Sequence, residues 1–215
     1  MEPTLDRFRA LARSGPWRWR TLEVRFVEGT AAPAEASLDR ARGTLVVRDP
    51  RGIHHVAAAP HSAPGRPWAV TPALDADGLV ASRPTRATAD RRIDYADAMW
   101  QSYLWVAVLD PVELSSGVLL DDPRAGEVAG RSVWWARAVP VEGYDPTCSC
   151  CPLQWSRVSD RLEYGEERDL TGIDYPSAHD VALDLGTGAV VRVVPLDGDR
   201  RGAWSLDVLA VDVVG

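Results

Sequence analysis

Short runs of alternating apolar and polar residues, separated by Gly, Pro and Asp turn signals, make up most of this chain. Such alternation is typical of strands in an antiparallel sheet that packs one face on a core. Helices do not alternate regularly with these strands, so nothing predicts a parallel nucleotide-binding sheet. The pattern therefore predicts an α+β fold, in which an antiparallel sheet is accompanied by an N-terminal helix and two central helices.

The first predicted strand region changes phase part of the way along. Residues 17–20 alternate in one phase and residues 22–26 in the other. A bulge near Thr21 would keep both apolar sets on one face of a sheet. Residues 29–42 are rich in Ala, Glu and Pro and are interpreted as a loop. Further strands are predicted at 45–48 and 53–58, within a hairpin over 68–82, and at 132–141, 181–185, 189–194 and 204–213.

A short helix is predicted near the start of the chain, over residues 4–13. Thr4 can cap its first turn, and Gly15-Pro16 is expected to end it. Its apolar residues recur every three or four positions, at Leu5, Phe8 and Leu11. This spacing places them on one helical face that can pack on the sheet.

The middle of the chain predicts two helices in succession. The longer one is expected to begin near Arg91 and to stop before Asp110. Asp110 is then expected to cap a second, short helix, with Glu113 three residues later in a capping-box position. Both carboxylates are therefore interpreted as helix caps and not as an acid and base pair. The apolar stripe of the longer helix comprises Ile93, Ala96, Met99, Trp100, Tyr103, Leu104 and Ala107.

Size and charge narrow the classes of protein further. The 215 residues suit a single domain over 1–215, since no composition shift or long linker divides the chain. The net charge is −7, and an acidic chain without a basic cluster is not expected to bind nucleic acid. No apolar run reaches the length of about 20 residues that a membrane helix needs. The start of the chain has no export signal, so we expect a cytoplasmic protein, or an extracytoplasmic one if a leader has been removed.

Four segments carry a resemblance to a known family. They are WRWRTLEVRF after the first helix, IDYADAMWQSYLWVAVLDPVELSS in the middle, GRSVWWARAVPV, and DVALDLGTGAVVRVVPLDG. In the last of these, a strand ends in Asp, turns through Thr-Gly and returns through apolar residues. This order of elements resembles the lipoprotein-carrier superfamily, which includes the LolA-type half-barrel proteins and the related actinobacterial lipid-carrying lipoproteins.

The resemblance implies a strongly curved antiparallel sheet, a half-barrel, with the central helices across its concave face. A lipophilic or amphipathic ligand, such as a lipid, would occupy an apolar cavity between them. Hydrophobic burial would hold it without a cofactor or a covalent step, so no enzyme activity is expected. The nine Trp of this tryptophan-rich chain agree with an aromatic lining. The candidate ligand-binding residues are Trp68, Trp100, Tyr103 and Trp135.

The three cysteines stand close together, at Cys148, Cys150 and Cys151. Cys148 and Cys151 form a CxxC pair, a spacing that redox proteins and zinc sites both use. Neither a second CxxC nor an HxxxH completes a zinc site, and the pair does not open a helix after a parallel strand. We interpret the cysteines as thiols in a loop and expect no metal. A disulfide within the cluster stays open, and the three residues are kept as weak metal candidates.

Two other functions remain open at this point. The concave side of the sheet could bind a protein partner, and this would require an exposed apolar patch in place of a closed cavity. A metal-dependent or redox-dependent protein could instead use the Cys148–Cys151 loop.

Overall fold

A nine-stranded antiparallel sheet is the framework of the protein. The structure is a computed structural model and describes residues 2–57, 71–83 and 98–214. Its strands are β1 (Trp19–Glu28), β2 (Ala34–Asp39), β3 (Thr44–Asp49), β4 (Gly52–Ala57), β5 (Ala73–Leu74), β6 (Val80–Ser82), β7 (Val118–Val128), β8 (Arg131–Pro140), β9 (His179–Asp184), β10 (Val190–Pro195) and β11 (Trp204–Val213).

The strand order in the large sheet is β4-β3-β2-β1-β11-β10-β9-β8-β7, while β5 and β6 pair with each other in a separate hairpin. The last strand, β11, lies between β1 and β10 and so joins the two halves of the chain. In the described residues the edge strands β4 and β7 do not pair, so the sheet is not closed into a barrel. This arrangement confirms the predicted α+β class with an antiparallel sheet.

The helices are few and short. Within the described ranges they are α1 (Leu5–Arg18), α2 (Leu104–Leu109) and α3 (Arg157–Tyr164), and a 3₁₀ helix at Val112–Ser115 follows α2. Helix α1 contacts this 3₁₀ helix and strands β7, β8 and β9, whereas α2 contacts β10. None of the described helices is long and apolar enough to cross a membrane.

Helix α1 begins where the sequence predicts and ends later. The Thr4 side chain accepts a hydrogen bond from the backbone N–H of Arg7 at 3.3 Å, which confirms the N-cap. The end predicted at Gly15-Pro16 is wrong, because the helix continues to Arg18. Gly15 has a packing role instead: a Cβ added there would lie 2.8 Å from the carbonyl oxygen of Leu109. The glycine therefore permits the close approach of α2.

The predicted phase change in the first strand is confirmed. The register of β1 against β11 shifts between Trp19 and Thr21, so Trp19 and Leu22 are both buried in the core. Residues 17 and 18, predicted as strand, belong instead to α1.

Two strands of the sheet escape sequence prediction. The segment 29–42, interpreted as a loop, contains β2, whose alternate residues are buried between β1 and β3. Its buried positions are largely Ala, a weak strand former, so pairing on both sides decides its conformation. Strand β7 has no clear alternation because its register against β8 shifts between Asp121 and Arg124, on either side of Pro123.

The long central helix is a wrong prediction over much of its length. Residues 98–103 are not helical, and the helix begins only at Leu104; residues 91–97 lie outside the described ranges. Gln101 has a φ of 62°, which an α-helix does not admit. All six residues of α2 are buried, so this helix has no polar face that could define its extent.

The other predicted strands are largely confirmed. The turns at 49–52 and 75–78 connect β3 with β4 and β5 with β6, although residues 68–70 of the second predicted hairpin lie outside the described part of the chain. Strands β8, β9, β10 and β11 match the predicted segments to within two residues at each end. The excursion between β8 and β9 contains α3, as the sequence suggests.

Candidate functional site

Three aromatic rings meet between the sheet and α2, and we call them the aromatic cluster. They belong to Phe26 of β1, Trp204 of β11 and Trp105 of α2. The ring centre of Phe26 lies 4.8 Å from that of Trp105, edge to face, and 5.5 Å from that of Trp204, stacked. The two indoles are 6.0 Å apart. The pairing of β1 with β11 therefore places an aromatic surface directly against α2.

Both indoles of the aromatic cluster carry a polar atom with no partner. The Nε1 atoms of Trp105 and Trp204 are buried and have no hydrogen-bond acceptor in the described part of the chain. A buried donor without an acceptor costs about 1 to 3 kcal/mol. The cluster thus combines an apolar surface with two unused donors, a combination that suits a ligand with an apolar body and an acceptor group.

Trp100 and Tyr103 lie in the segment that leads into α2. The half-buried Trp100 packs on the core, with its ring centre 4.8 Å from that of His54 in β4. The guanidinium of Arg51 stands 5.8 Å from the Trp100 ring. Tyr103, just before α2, is 49% exposed. Trp100 therefore packs against the core beside β4. Tyr103 is accessible from solvent.

Trp135 and Trp100, both candidate ligand-binding residues, lie in different parts of the fold. Trp135 follows the buried Trp134 in β8, and consecutive residues of a strand face opposite sides of a sheet, as predicted. Its ring lies 5.4 Å from the Arg124 guanidinium, and Gly126 leaves room for it. Strand β8 is next to the β7 edge, whereas Trp100 packs near the β4 edge. Trp68, the fourth candidate, lies outside the described residues.

A shallow depression of about 380 Å³ lies on the solvent-exposed face of the sheet, on strands β1 to β4 and β11. Its lining mixes apolar side chains with polar and charged ones, and it is open to solvent, so it does not enclose a ligand. Its polar lining residues are Glu23, Glu35, Ser37, Arg48 and His55.

The second notable site is the cysteine loop, which we define as residues 147–153. The Sγ atoms of Cys148 and Cys150 are 2.9 Å apart, and those of Cys150 and Cys151 are 3.7 Å apart. All three sulfurs lie within 4.8 Å of one another. The backbone of Leu104, the first residue of α2, acts on the Cys151 thiol and slightly opposes the rise of its pKa. The fold thus gathers the three cysteines beside the start of α2.

The three thiols of the cysteine loop differ in proton affinity. Burial raises the pKa of Cys148, but hydrogen bonds from Cys150 and Cys151 outweigh burial and bring that pKa below its ordinary value. Burial, followed by hydrogen bonds to Cys148 and Cys150, raises the pKa of Cys151 to about 12. Cys148 is therefore the thiol that ionises first, with its neighbours as proton donors.

A buried carboxylate holds both ends of the cysteine loop. Glu113 Oε1 accepts hydrogen bonds from the Tyr144 hydroxyl at 2.7 Å and from the Leu153 N–H at 3.0 Å. Glu113 Oε2 accepts from the Thr147 N–H at 2.8 Å. Burial raises the pKa of Glu113, and these three donors oppose that rise. We call this arrangement the Glu113 anchor.

The structure overturns the capping roles predicted for Asp110 and Glu113. The 3₁₀ helix has Pro111 at its N-cap and receives no side-chain cap. Asp110 forms an ion pair with Arg83 instead. Glu113 turns to Tyr144, which is 31 residues away in sequence. Local spacing contains no signal for that contact, so sequence reasoning missed the Glu113 anchor.

No protein-family model matches the chain, and no curated protein matches it either.

Proposed function

We propose that this protein binds a lipophilic or amphipathic ligand at the aromatic cluster. The observation that carries the proposal is the pair of buried indole N–H groups, on Trp105 and Trp204, inside an otherwise apolar site. A ligand with a carboxylate, ester or hydroxyl oxygen would supply the missing acceptor, and its apolar part would be buried against the rings.

We also propose, from the resemblance described above, that the sheet acts as a half-barrel around this ligand. A half-barrel with helices on its concave face would bring α2 over the ligand, and α2 does pack on β10 beside the aromatic cluster. The rings of Trp105 and Trp204 are only 2% and 3% exposed, so ligand entry requires α2 or the segment before it to move aside. Trp100 and Tyr103, in that segment, are then the residues that an entering ligand meets first.

Native mass spectrometry of protein purified without detergent tests the proposal directly. We expect a co-purified lipophilic species that leaves on denaturation. Protein stripped of that species should bind oleate, with a change in Trp fluorescence. If no species co-purifies and fluorescence does not respond to oleate, the ligand-binding proposal is wrong. A stable complex with another protein in light scattering, without any bound lipid, would favour the interaction module instead.

Paired variants locate the site. Trp105→Phe and Trp204→Phe remove one donor each and keep an aromatic ring, so each should weaken oleate binding by about 3-fold to 30-fold, the range of one modest hydrogen bond. Trp155→Phe is the matched control, because the Trp155 N–H donates to Asp160 Oδ1 at 3.1 Å, outside the cluster. Equal losses in all three variants would place the ligand elsewhere.

A further inference from the structure

The strongest feature outside the aromatic cluster is the group of three thiols in the cysteine loop. The sequence favours ordinary thiols there, because half of a conventional zinc site is missing. The fold favours a metal site more than the sequence does, because it places the sulfur of Cys150 beside those of the CxxC pair, Cys148 and Cys151.

The sulfur positions fit a single thiolate-bound ion. A tetrahedral ion with metal–sulfur bonds of about 2.3 Å separates its sulfurs by about 3.8 Å. The Cys150 and Cys151 sulfurs are already 3.7 Å apart. The Cys148 and Cys150 sulfurs, at 2.9 Å, share a hydrogen bond, and an ion in place of the proton would move them apart by about 1 Å. Both separations exceed the value of about 2.05 Å for a disulfide, and the structure holds the three cysteines as free thiols.

The loop is held in place before any ion arrives. The Glu113 anchor fixes the backbone on both sides of the cysteines, at Thr147 and Leu153. Between these points the partly buried Cys151 packs against the hydrophobic core. A site that is ordered in this way loses less conformational entropy when it binds an ion. Cys150 is exposed, so an ion can enter from solvent.

We propose that Cys148, Cys150 and Cys151 bind one Zn²⁺ ion, with solvent in the fourth position. Thiolate ligands favour thiophilic ions such as Zn²⁺ and Cu⁺. A further negative charge favours the dication: Glu163 accepts a hydrogen bond from the Ser149 hydroxyl at 2.6 Å, and its charge acts on Cys150. Each protonated thiol that binds loses its proton to solvent as its sulfur forms a bond to zinc.

Titration with Co²⁺ tests this site without any knowledge of function. Reduced full-length protein, stripped of metal by a chelator, should bind one Co²⁺ per chain and show sulfur-to-cobalt charge-transfer absorption in the near ultraviolet. Zn²⁺ should then displace the Co²⁺ and abolish the absorption. An absence of charge-transfer absorption would overturn the proposal, and so would tight retention of Cu⁺ by a protein that takes up neither Co²⁺ nor Zn²⁺.

Variants separate a three-thiol site from adventitious binding. Cys148→Ser, Cys150→Ser and Cys151→Ser should each weaken Co²⁺ binding by about tenfold or more. Ser37→Ala, at an exposed position of β2 and outside the loop, should stay within about twofold of the wild type. Circular dichroism checks that each variant is folded. If any one cysteine variant binds Co²⁺ as tightly as the wild type, the three-ligand site is wrong.

Discussion

The aromatic cluster and the cysteine loop both adjoin α2, the first through Trp105 and the second beside Leu104, and they differ in whether their buried polar atoms have partners. In the aromatic cluster, the N–H groups of Trp105 and Trp204 have no acceptor among the described residues. In the cysteine loop, both oxygens of Glu113 are used by three donors. One neighbour departs from this pattern: the buried side-chain amide of Gln154 has no partner in the described part of the chain.

The two regions therefore differ in what a bound ion or ligand would contribute to them. Satisfied polar groups make the cysteine loop rigid by itself, so an ion would meet a formed site. Unsatisfied donors leave the aromatic cluster incomplete, and a ligand can lower its free energy by supplying an acceptor.

The largest effect is expected where the satisfied network is broken. Glu113→Ala leaves the Tyr144 hydroxyl and two backbone N–H groups buried without an acceptor. We expect a loss of about 4 kcal/mol in the free energy of unfolding, measured with urea. The exposed Glu167→Ala is the control and should change stability by less than about 0.5 kcal/mol. A small loss at Glu113 would mean that the anchor does not hold the loop.

His179 is a further buried residue whose polar atoms have no partner among the described residues. It is fully buried in β9, and both ring nitrogens are without a partner in the described residues. Burial lowers its pKa to about 4, against a small opposing effect of the Asp197 carboxylate. In the unfolded chain a histidine has a pKa of about 6.5. The unfolded chain therefore binds a proton at higher pH than the folded protein does.

The sign of the pH dependence follows from that difference. The contribution of His179 to stability is full above pH about 6.5 and is lost as the pH falls towards about 4, by about 3 kcal/mol in all. Urea unfolding across this range should show a smaller pH dependence in His179→Gln. His55→Gln, at an exposed position, should keep the pH dependence of the wild type. Parallel curves for His179→Gln and the wild type would contradict the buried, neutral histidine.

A pair of glycines tests how tightly the chain packs around Tyr144, the residue that donates to Glu113. Gly117 has a φ of 68° and lies against Gly143 and Tyr144, with the Tyr144 Cα 2.5 Å from the position of an added Cβ. Gly130 has a similar φ of 76° with no atom within 4 Å of that position. Gly117→Ala should therefore cost about 2 kcal/mol more than Gly130→Ala in urea unfolding. Equal costs would show that backbone strain alone matters at both sites.

The smallest effect compares two indoles that lose the same atoms. Trp155→Phe removes the donor to Asp160 Oδ1, whereas Trp105→Phe removes an N–H that has no acceptor in the described residues. We expect Trp155→Phe to cost about 1 kcal/mol more than Trp105→Phe in thermal or urea unfolding of ligand-free protein. If Trp105→Phe is the costlier change, its N–H has an acceptor and the contrast between the two regions fails.

Sequence reasoning succeeded where a segment carries its own pattern. Strands β8, β9, β10 and β11 alternate and end at clear turn signals, and the Thr4 cap depends on a neighbour three residues away. It failed where a distant contact decides the conformation. Strand β2 forms because two neighbouring strands pair with it, and Gly15 lies inside α1, where its missing side chain leaves room for Leu109.

The candidate sites divide in the same way. The sequence shows three cysteines close together and an excess of Trp, since composition and short spacing are visible along the chain. It does not show that Phe26, Trp105 and Trp204 meet, because these residues come from three separate elements.

The sequence by itself determined the α+β class, the antiparallel strands and the position of the cysteines, all of which follow from local periodicity and spacing. Only the tertiary structure decided that Glu113 anchors the cysteine loop and that the indole donors of Trp105 and Trp204 are left buried without acceptors among the described residues. The physical reason is that burial and hydrogen-bond partnership depend on atoms far apart in the chain, which only folding brings within reach.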